Sequence, residues 1–146
     1  MQYFVHPSAQ SHHWNEDCVL VPLHGHYDER RMHDTLCTLQ SSLHQELMRR
    51  YTDIWTRMVI VNPCTRHDGK TAKTLDGQLM QFGVWAHQKG CVATAVVMPE
   101  HLLESFLHIQ ALSEDAHNGV RVFFDQGIAE QWLIQQQQRH RRLKLH

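Results

Sequence analysis

Short apolar runs alternate with longer segments of helical spacing along this chain. The run CVATAVVM, residues 91–98, is continuous and rich in β-branched residues, which is typical of a central strand in a parallel sheet. Strands that alternate with helices predict an α/β fold, here a single mixed, mainly parallel sheet of about five strands with four helices. An opening hairpin adds one antiparallel strand at an edge. The predicted strands cover residues 3–7, 18–25, 58–64, 91–98 and 120–125, with a turn over residues 12–17.

Two of the predicted helices have clear apolar stripes and recognisable ends. Asp28 is the candidate N-cap of the first helix, and Arg49 and Arg50 suit the negative end of its dipole. Thr74 is the candidate N-cap of the second helix, and Gly90 is the residue that stops it. The residues expected to face inward are Met32, Leu36, Leu39, Leu43 and Leu47 in the first helix, and Leu75, Leu79, Phe82 and Ala86 in the second.

The third and fourth predicted helices flank the last strand. Pro99 lies in the first turn of a helix predicted to run to Leu112. Asp125 is the predicted cap of the final helix. The residues expected to pack inward are Leu102, Leu103, Phe106 and Leu107 in the third helix, and Ile128, Ala129, Trp132 and Leu133 in the fourth.

Length and charge bound the organisation of the chain. Its 146 residues suit one domain over residues 1–135, followed by a polar, basic helix extension or tail over residues 136–146 that we expect to fray. With histidine neutral, the first 138 residues hold 10 basic and 15 acidic side chains, a net charge of −5, whereas the last eight carry +4. An acidic body argues against a general nucleic-acid-binding protein.

Several classes of protein are disfavoured by missing patterns. No apolar run approaches the roughly 20 residues that a membrane span needs, and the first ten residues show no signal peptide. We therefore expect a cytoplasmic protein, in which the singly spaced cysteines are reduced. The chain carries no G-x-x-x-x-G-K-[ST], G-x-G-x-x-G or G-x-S-x-G pattern. Nucleotide-binding and α/β-hydrolase functions are thus disfavoured, and we predict no cofactor and no catalytic residue.

The chain holds 14 histidines, so a metal site must be considered. His24 and His26 form an H-x-H at a strand end, where the period of two puts both side chains on one side. Zinc accepts such ligands, which makes a metal-binding protein one alternative. A His-rich surface explains the same residues, because no tight ligand spacing is present, and we assign no metal site.

The loop before the second helix is the best candidate for a functional site. Thr71 and Thr74 lie near the predicted helix start, where free N–H groups and the dipole stabilise negative charge. A phosphate on either hydroxyl would change the local charge by about two units. The alternative is that Thr74 only caps the helix. Cys64 and His67 could be a nucleophile and its base, but nothing in the sequence brings them together.

Three stretches carry a family resemblance. They are LHGHYDERRMHDTL after the second strand, FGVWAHQKG at the end of the second helix, and VRVFFDQGIAEQWL near the end of the chain. In the last stretch a strand, an acid, an alanine and a Trp-Leu pair follow one another. This chain resembles, over about residues 1–135, the STAS-like family, also described as anti-sigma-factor-antagonist-like or STAS/SEC14-like.

The resemblance implies a small, non-enzymatic, bacterial regulatory domain that binds a protein partner. In that family a Ser or Thr at the start of the second helix is phosphorylated to break the complex. The implied switch residues here are Thr74 and Thr71, after a switch loop that holds Asn62, Cys64 and Asp68. The chain departs from the family pattern, because Asn62 replaces the Asp that usually ends the strand and the loop lacks the Asp-Ser pair of the phospho-acceptor.

Two other kinds of partner stay open at this stage. SEC14-like relatives imply that a small molecule or lipid is held beside the sheet. Trp14 and Trp55 are large apolar residues, which would support a homodimer if they were exposed.

Overall fold

The computed structural model describes residues 13–23, 29–50, 53–61, 69–105, 109–111 and 119–145. Strands and helices follow one another in the alternating order that the sequence predicts. In chain order the elements are β1 (His13–Asn15), β2 (Cys18–Leu23), α1 (Glu29–Arg50), β3 (Trp55–Val61), α2 (Gly69–Gln88), β4 (Cys91–Val97), a 3-10 helix (Glu100–Ser105), β5 (Val120–Phe123) and α3 (Gln126–Leu145).

The five strands form one sheet whose order follows the chain, β1-β2-β3-β4-β5. β1 pairs antiparallel with β2, and the other neighbours are parallel, which confirms the predicted mixed α/β sheet. The antiparallel hairpin turns at Glu16 and Asp17, where Glu16 has a φ of 56°. Residues 13–15, predicted as part of a turn, are strand β1 instead, because their backbone pairs with Cys18–Leu20. The strand predicted over residues 3–7 lies outside the described residues.

The helices divide between the two faces of the sheet. α1 and α2 pack together on one face, as right-handed crossovers between neighbouring parallel strands require. The core on this side joins Val19, Val59 and Val96 of the sheet to Leu39, Leu43 and Phe82 of the helices. α3 covers the other face, where a smaller core contains Met58, Ala93, Ala95, Val97, Ala129 and Leu133.

From Leu36 to Leu47 the stripe of α1 is as predicted, whereas the side chain of Met32 lies outside the described part, and the start of α2 differs from its prediction. Leu36, Leu39, Leu43 and Leu47 are all buried, whereas Asp28 lies outside the described residues. α2 begins at Gly69, so the prediction that Thr74 is its N-cap is wrong. Lys70, Thr71, Ala72 and Lys73 extend the helix by a turn beyond the apolar stripe, because helix formation needs no apolar residue in the first turn.

The end of α2 agrees with its sequence. Leu79, Phe82 and Ala86 are buried, and the helix ends at Gln88. Gly90 follows with a φ of 99°, a conformation that glycine adopts without strain. Its N–H donates to the His87 carbonyl at 3.2 Å, which closes the helix.

The predicted third helix differs in type. Residues 100–105 form a 3-10 helix, and residues 109–111 are helical, whereas a single α-helix was expected from Pro99 to Leu112. Leu103 packs against the larger core, and Ile109 is buried in it. Phe106 and Leu107 lie outside the described residues.

The final helix is capped as predicted and is longer than expected. The Asp125 carboxylate accepts the Ile128 N–H at 2.9 Å, and Ala129 and Leu133 are buried. Ile128 itself is 59% exposed, so its predicted packing is wrong. The helix continues to Leu145, through the segment expected to fray, because Gln, Arg, Lys and Leu all favour helix.

Candidate functional site

A groove separates α3 from the strands at one side of the sheet. α3 packs mainly on β4, with further contacts to β3 and β5, so it leaves the β2 side of this face open. The groove has a volume of about 520 Å³. It is lined by Glu16, Cys18, Leu20, Thr56, Met58, Glu130, Leu133, Ile134 and Gln137.

The sheet register brings the strand residues of the groove together. Cys18 is paired with Thr56, and Leu20 with Met58. Residues two apart on a strand share a face, so all four side chains point toward α3. The opposite wall is formed by α3, whose lining residues are spaced so that they lie on one side of the helix. They are Glu130, Leu133, Ile134 and Gln137.

Two polar groups of this groove are buried without a strong hydrogen-bond partner among the described residues. They are the Thr56 hydroxyl oxygen and the Gln137 side-chain nitrogen. Thr56 is 0% exposed. Its side-chain hydrogen bond with Cys18 lowers the pKa of that thiol, but a thiol is only a weak hydrogen-bonding group and leaves the hydroxyl without a strong partner. An unsatisfied buried group costs about 1–3 kcal/mol. The groove therefore offers hydrogen-bonding capacity that the described chain does not use.

Cys18 contributes a partly buried thiol to the groove. Burial raises the pKa of Cys18 above its ordinary value of 9.0, while the Thr56 side chain lowers it in part. The charges of Cys91 and Glu130 raise it further. The thiol is consequently protonated near neutral pH, and it is the thiolate that reacts.

The rim of the groove is acidic. Glu16 and Glu130 are both exposed, and no Lys, Arg or His is found among the described residues that line the groove. The neighbouring Asp17 is paired on both sides, since Arg141 donates a hydrogen bond to it and Arg50 approaches it to 3.9 Å. These contacts tie the ends of α1 and α3 to the hairpin turn.

A second polar cluster lies on the opposite face of β3, under α2. Arg57 is 4% exposed, and its Nε donates to the Thr94 hydroxyl at 3.3 Å. Its guanidinium carbon is 5.0 Å from the centre of the Phe82 ring. Burial lowers the pKa of Arg57. Burial also raises the pKa of Cys91, and the positive charge of Arg57 partly offsets that rise. This enclosed cluster joins α2 to the sheet.

The residues predicted as a switch are only partly described. Thr71 is the third residue of α2, and Thr74 is the sixth. Asn62, Cys64 and Asp68 of the predicted switch loop lie outside the described residues.

Two other expectations bear on the described part of the chain. No three His, Cys, Asp or Glu side chains there lie close enough to hold a metal ion, and His24 and His26 lie outside it. No described helix is long and apolar enough to cross a membrane. Trp55 is fully buried, and Trp14 packs against it with ring centres 5.8 Å apart, so Trp55 supplies no surface for a homodimer.

Sequence reasoning missed the groove. The sequence of β2 gives one signal of the groove. Cys18 and Leu20 share one face of the strand, and Val19 and Val21 share the other. Neither face therefore carries a strongly polar residue. A strand with one face in solvent usually alternates apolar and polar residues, so this pattern indicates that both faces of β2 are covered.

Comparison with protein-family models finds none that matches this chain, and comparison with curated proteins finds no match. The resemblance to the STAS-like family therefore stays a prediction from the sequence.

Proposed function

We propose that this chain is a non-enzymatic binding module that holds a small, largely apolar ligand in the groove between α3 and the sheet. One observation carries the proposal: the Thr56 hydroxyl and the Gln137 side-chain nitrogen are buried at the groove without a strong hydrogen-bond partner among the described residues. A ligand that supplied hydrogen bonds to them would remove their desolvation cost. This role is of the kind that SEC14-like relatives imply.

The size and chemistry of the groove support this function. Small-molecule sites have volumes of about 300–1,000 Å³ and combine apolar walls with a few polar groups. The groove, at about 520 Å³, has apolar walls from Leu20, Met58, Leu133 and Ile134. The raised pKa of the Cys18 thiol favours binding over reaction with the ligand.

The test uses the neutral fluorescent probe N-phenyl-1-naphthylamine. We expect its fluorescence to rise on binding, and we expect Leu20→Trp to abolish that rise, because an indole on half-buried Leu20 fills the groove. Val84→Trp is the matched control, since Val84 is 53% exposed on α2 and lies away from the groove. Equal fluorescence in the two variants would contradict the proposal, as would an absence of binding to the unmodified protein.

A second candidate function is the one that the resemblance to anti-sigma-factor antagonists implies. In it the chain is a regulatory module that binds a protein partner and releases it on phosphorylation. The start of α2 at Gly69 favours Thr71 over Thr74 as the switch, because the first turn has unpaired N–H groups that stabilise a phosphate.

This second function is tested by affinity capture with phosphate-mimicking variants. Thr71→Asp should release a partner that the unmodified protein retains, and it should not destabilise α2, because an acid in the first turn is favourable. Gln81→Glu adds one negative charge to an exposed position further along α2, and we expect it to keep the partner. Retention by Thr71→Asp would refute the switch at this residue.

A further inference from the structure

We infer that the groove selects a cationic amphiphile, meaning a molecule with an apolar chain or ring and one ammonium group. This inference rests on the proposed ligand-binding function and adds the charge of the ligand to it. Two observations support it: the excess of carboxylates at the rim, and the buried Thr56 hydroxyl in the groove.

The rim of the groove indicates the sign of the charge that the ligand carries. Glu16 and Glu130 both line the groove, and no basic side chain stands beside them among the described lining residues. Arg50 and Arg141 both approach Asp17, and Arg50 also donates a hydrogen bond to the Glu16 backbone carbonyl. The three carboxylates of Glu16, Asp17 and Glu130 therefore outnumber these two guanidiniums by one charge. This excess of negative charge would attract an ammonium group and repel a fatty acid or a phosphate.

The interior of the groove indicates the chemistry of the uncharged part of the ligand. Leu20, Met58 and Leu133 provide an apolar path, which suits a hydrocarbon body. Thr56 is 0% exposed in this path, and its hydroxyl has no strong partner, only the weakly bonding Cys18 thiol. It can donate or accept a hydrogen bond, and its pairing with Cys18 puts it between the Glu16 end of the groove and the Leu20–Met58 pair, where it could bind a polar group of the ligand.

The test compares three probes with the same chain, namely decylamine, 1-decanol and decanoate. Each is titrated into the full chain by isothermal calorimetry, below its micelle-forming concentration and at low salt. We expect decylamine to bind about fivefold more tightly than decanol, and decanoate more weakly than either, from the usual strength of exposed charge pairs. Added salt should weaken the binding of decylamine and leave that of decanol unchanged.

Matched variants locate the charge effect. Glu130→Gln keeps the shape of an exposed residue and should reduce the affinity for decylamine about threefold. Glu104→Gln removes the same charge from an exposed site on the 3-10 helix, whose Leu103 packs against the larger core. This control should leave the affinity unchanged.

The outcomes separate the two proposals. If none of the three probes binds, both the ligand-binding function and the charge preference fail. If decanol or decanoate binds at least as tightly as decylamine, or if Glu130→Gln and Glu104→Gln behave alike, the cationic preference is overturned while the binding function stands.

Discussion

The turn between α2 and β4 provides the sharpest test of the described packing. Gly90 has a φ of 99°, and a Cβ added there would lie 2.3 Å from the Asp53 carbonyl oxygen and 3.1 Å from its carbon. These are backbone atoms, so the clash cannot be relieved by rotating a side chain. The Gly90 carbonyl also accepts the Trp55 N–H at 3.1 Å, which ties the turn to the start of β3.

Gly90→Ala should therefore be strongly destabilising. A left-handed conformation costs a residue with a Cβ about 1–2 kcal/mol, and overpacking adds about 1–3 kcal/mol. The expected loss of about 2–5 kcal/mol is a large part of the 5–15 kcal/mol that is typical of a domain. It would lower the melting temperature by about 6–15 °C in a chain of this size.

The assay is equilibrium unfolding in urea, followed by the fluorescence of tryptophan. Trp55 is fully buried, so its emission changes when the chain unfolds. The control is Gly77→Ala, because Gly77 is inside α2 and a Cβ there would meet nothing within 4 Å. This variant should gain about 0.5–1 kcal/mol. A loss below about 0.5 kcal/mol in Gly90→Ala would refute the close approach of Asp53.

Three further results are expected from the same assay. Thr56→Val should stabilise the ligand-free protein by about 1 kcal/mol, since it removes an unsatisfied buried hydroxyl, and a loss would show that this hydroxyl has a partner. The free energy of unfolding should also fall as pH rises above about 9, by up to about 1.4 kcal/mol per pH unit per thiol. The reason is that the raised pKa values of Cys18 and Cys91 keep these thiols protonated in the folded protein, whereas the same thiols ionise in the unfolded chain. That slope should flatten in Cys18→Ala/Cys91→Ala but not in Cys37→Ala, in which the replaced residue is exposed. Asp125→Ala should cost about 1 kcal/mol through loss of the helix cap, and Asp125→Asn should cost much less.

The larger part of the fold could be predicted because burial imposes a period on the sequence. β4 has both faces covered, so its run CVATAVV is apolar except for Thr94, and the predicted strand ends within one residue of the observed end at Val97. The stripe of α1 and the glycine after α2 follow from the same kind of local chemistry. β1 was missed because His13–Asn15 shows no apolar alternation, and its pairing with β2 is set by the hairpin.

The groove could not be predicted, because it depends on how far α3 extends across the sheet. The sequence of α3 shows which residues face inward, such as Ala129 and Leu133, but it does not show which strands they meet. The structure puts them against Met58, Ala93 and Ala95, and the space beside β2 follows from that placement.

The first residues of β3 show why the candidate site escaped sequence reasoning. The strand was predicted to begin at Met58, but it begins at Trp55, because Thr56 and Arg57 interrupt the apolar pattern. These two polar neighbours point to opposite faces of the sheet. Arg57 is enclosed under α2 with Thr94 as its hydrogen-bond partner, whereas Thr56 faces the groove and has no such partner among the described residues. Departures from a consistent pattern tend to mark function, and of this pair only Thr56 has open space beside it. The same polarity that obscured the start of the strand is thus the reason to look for a ligand there.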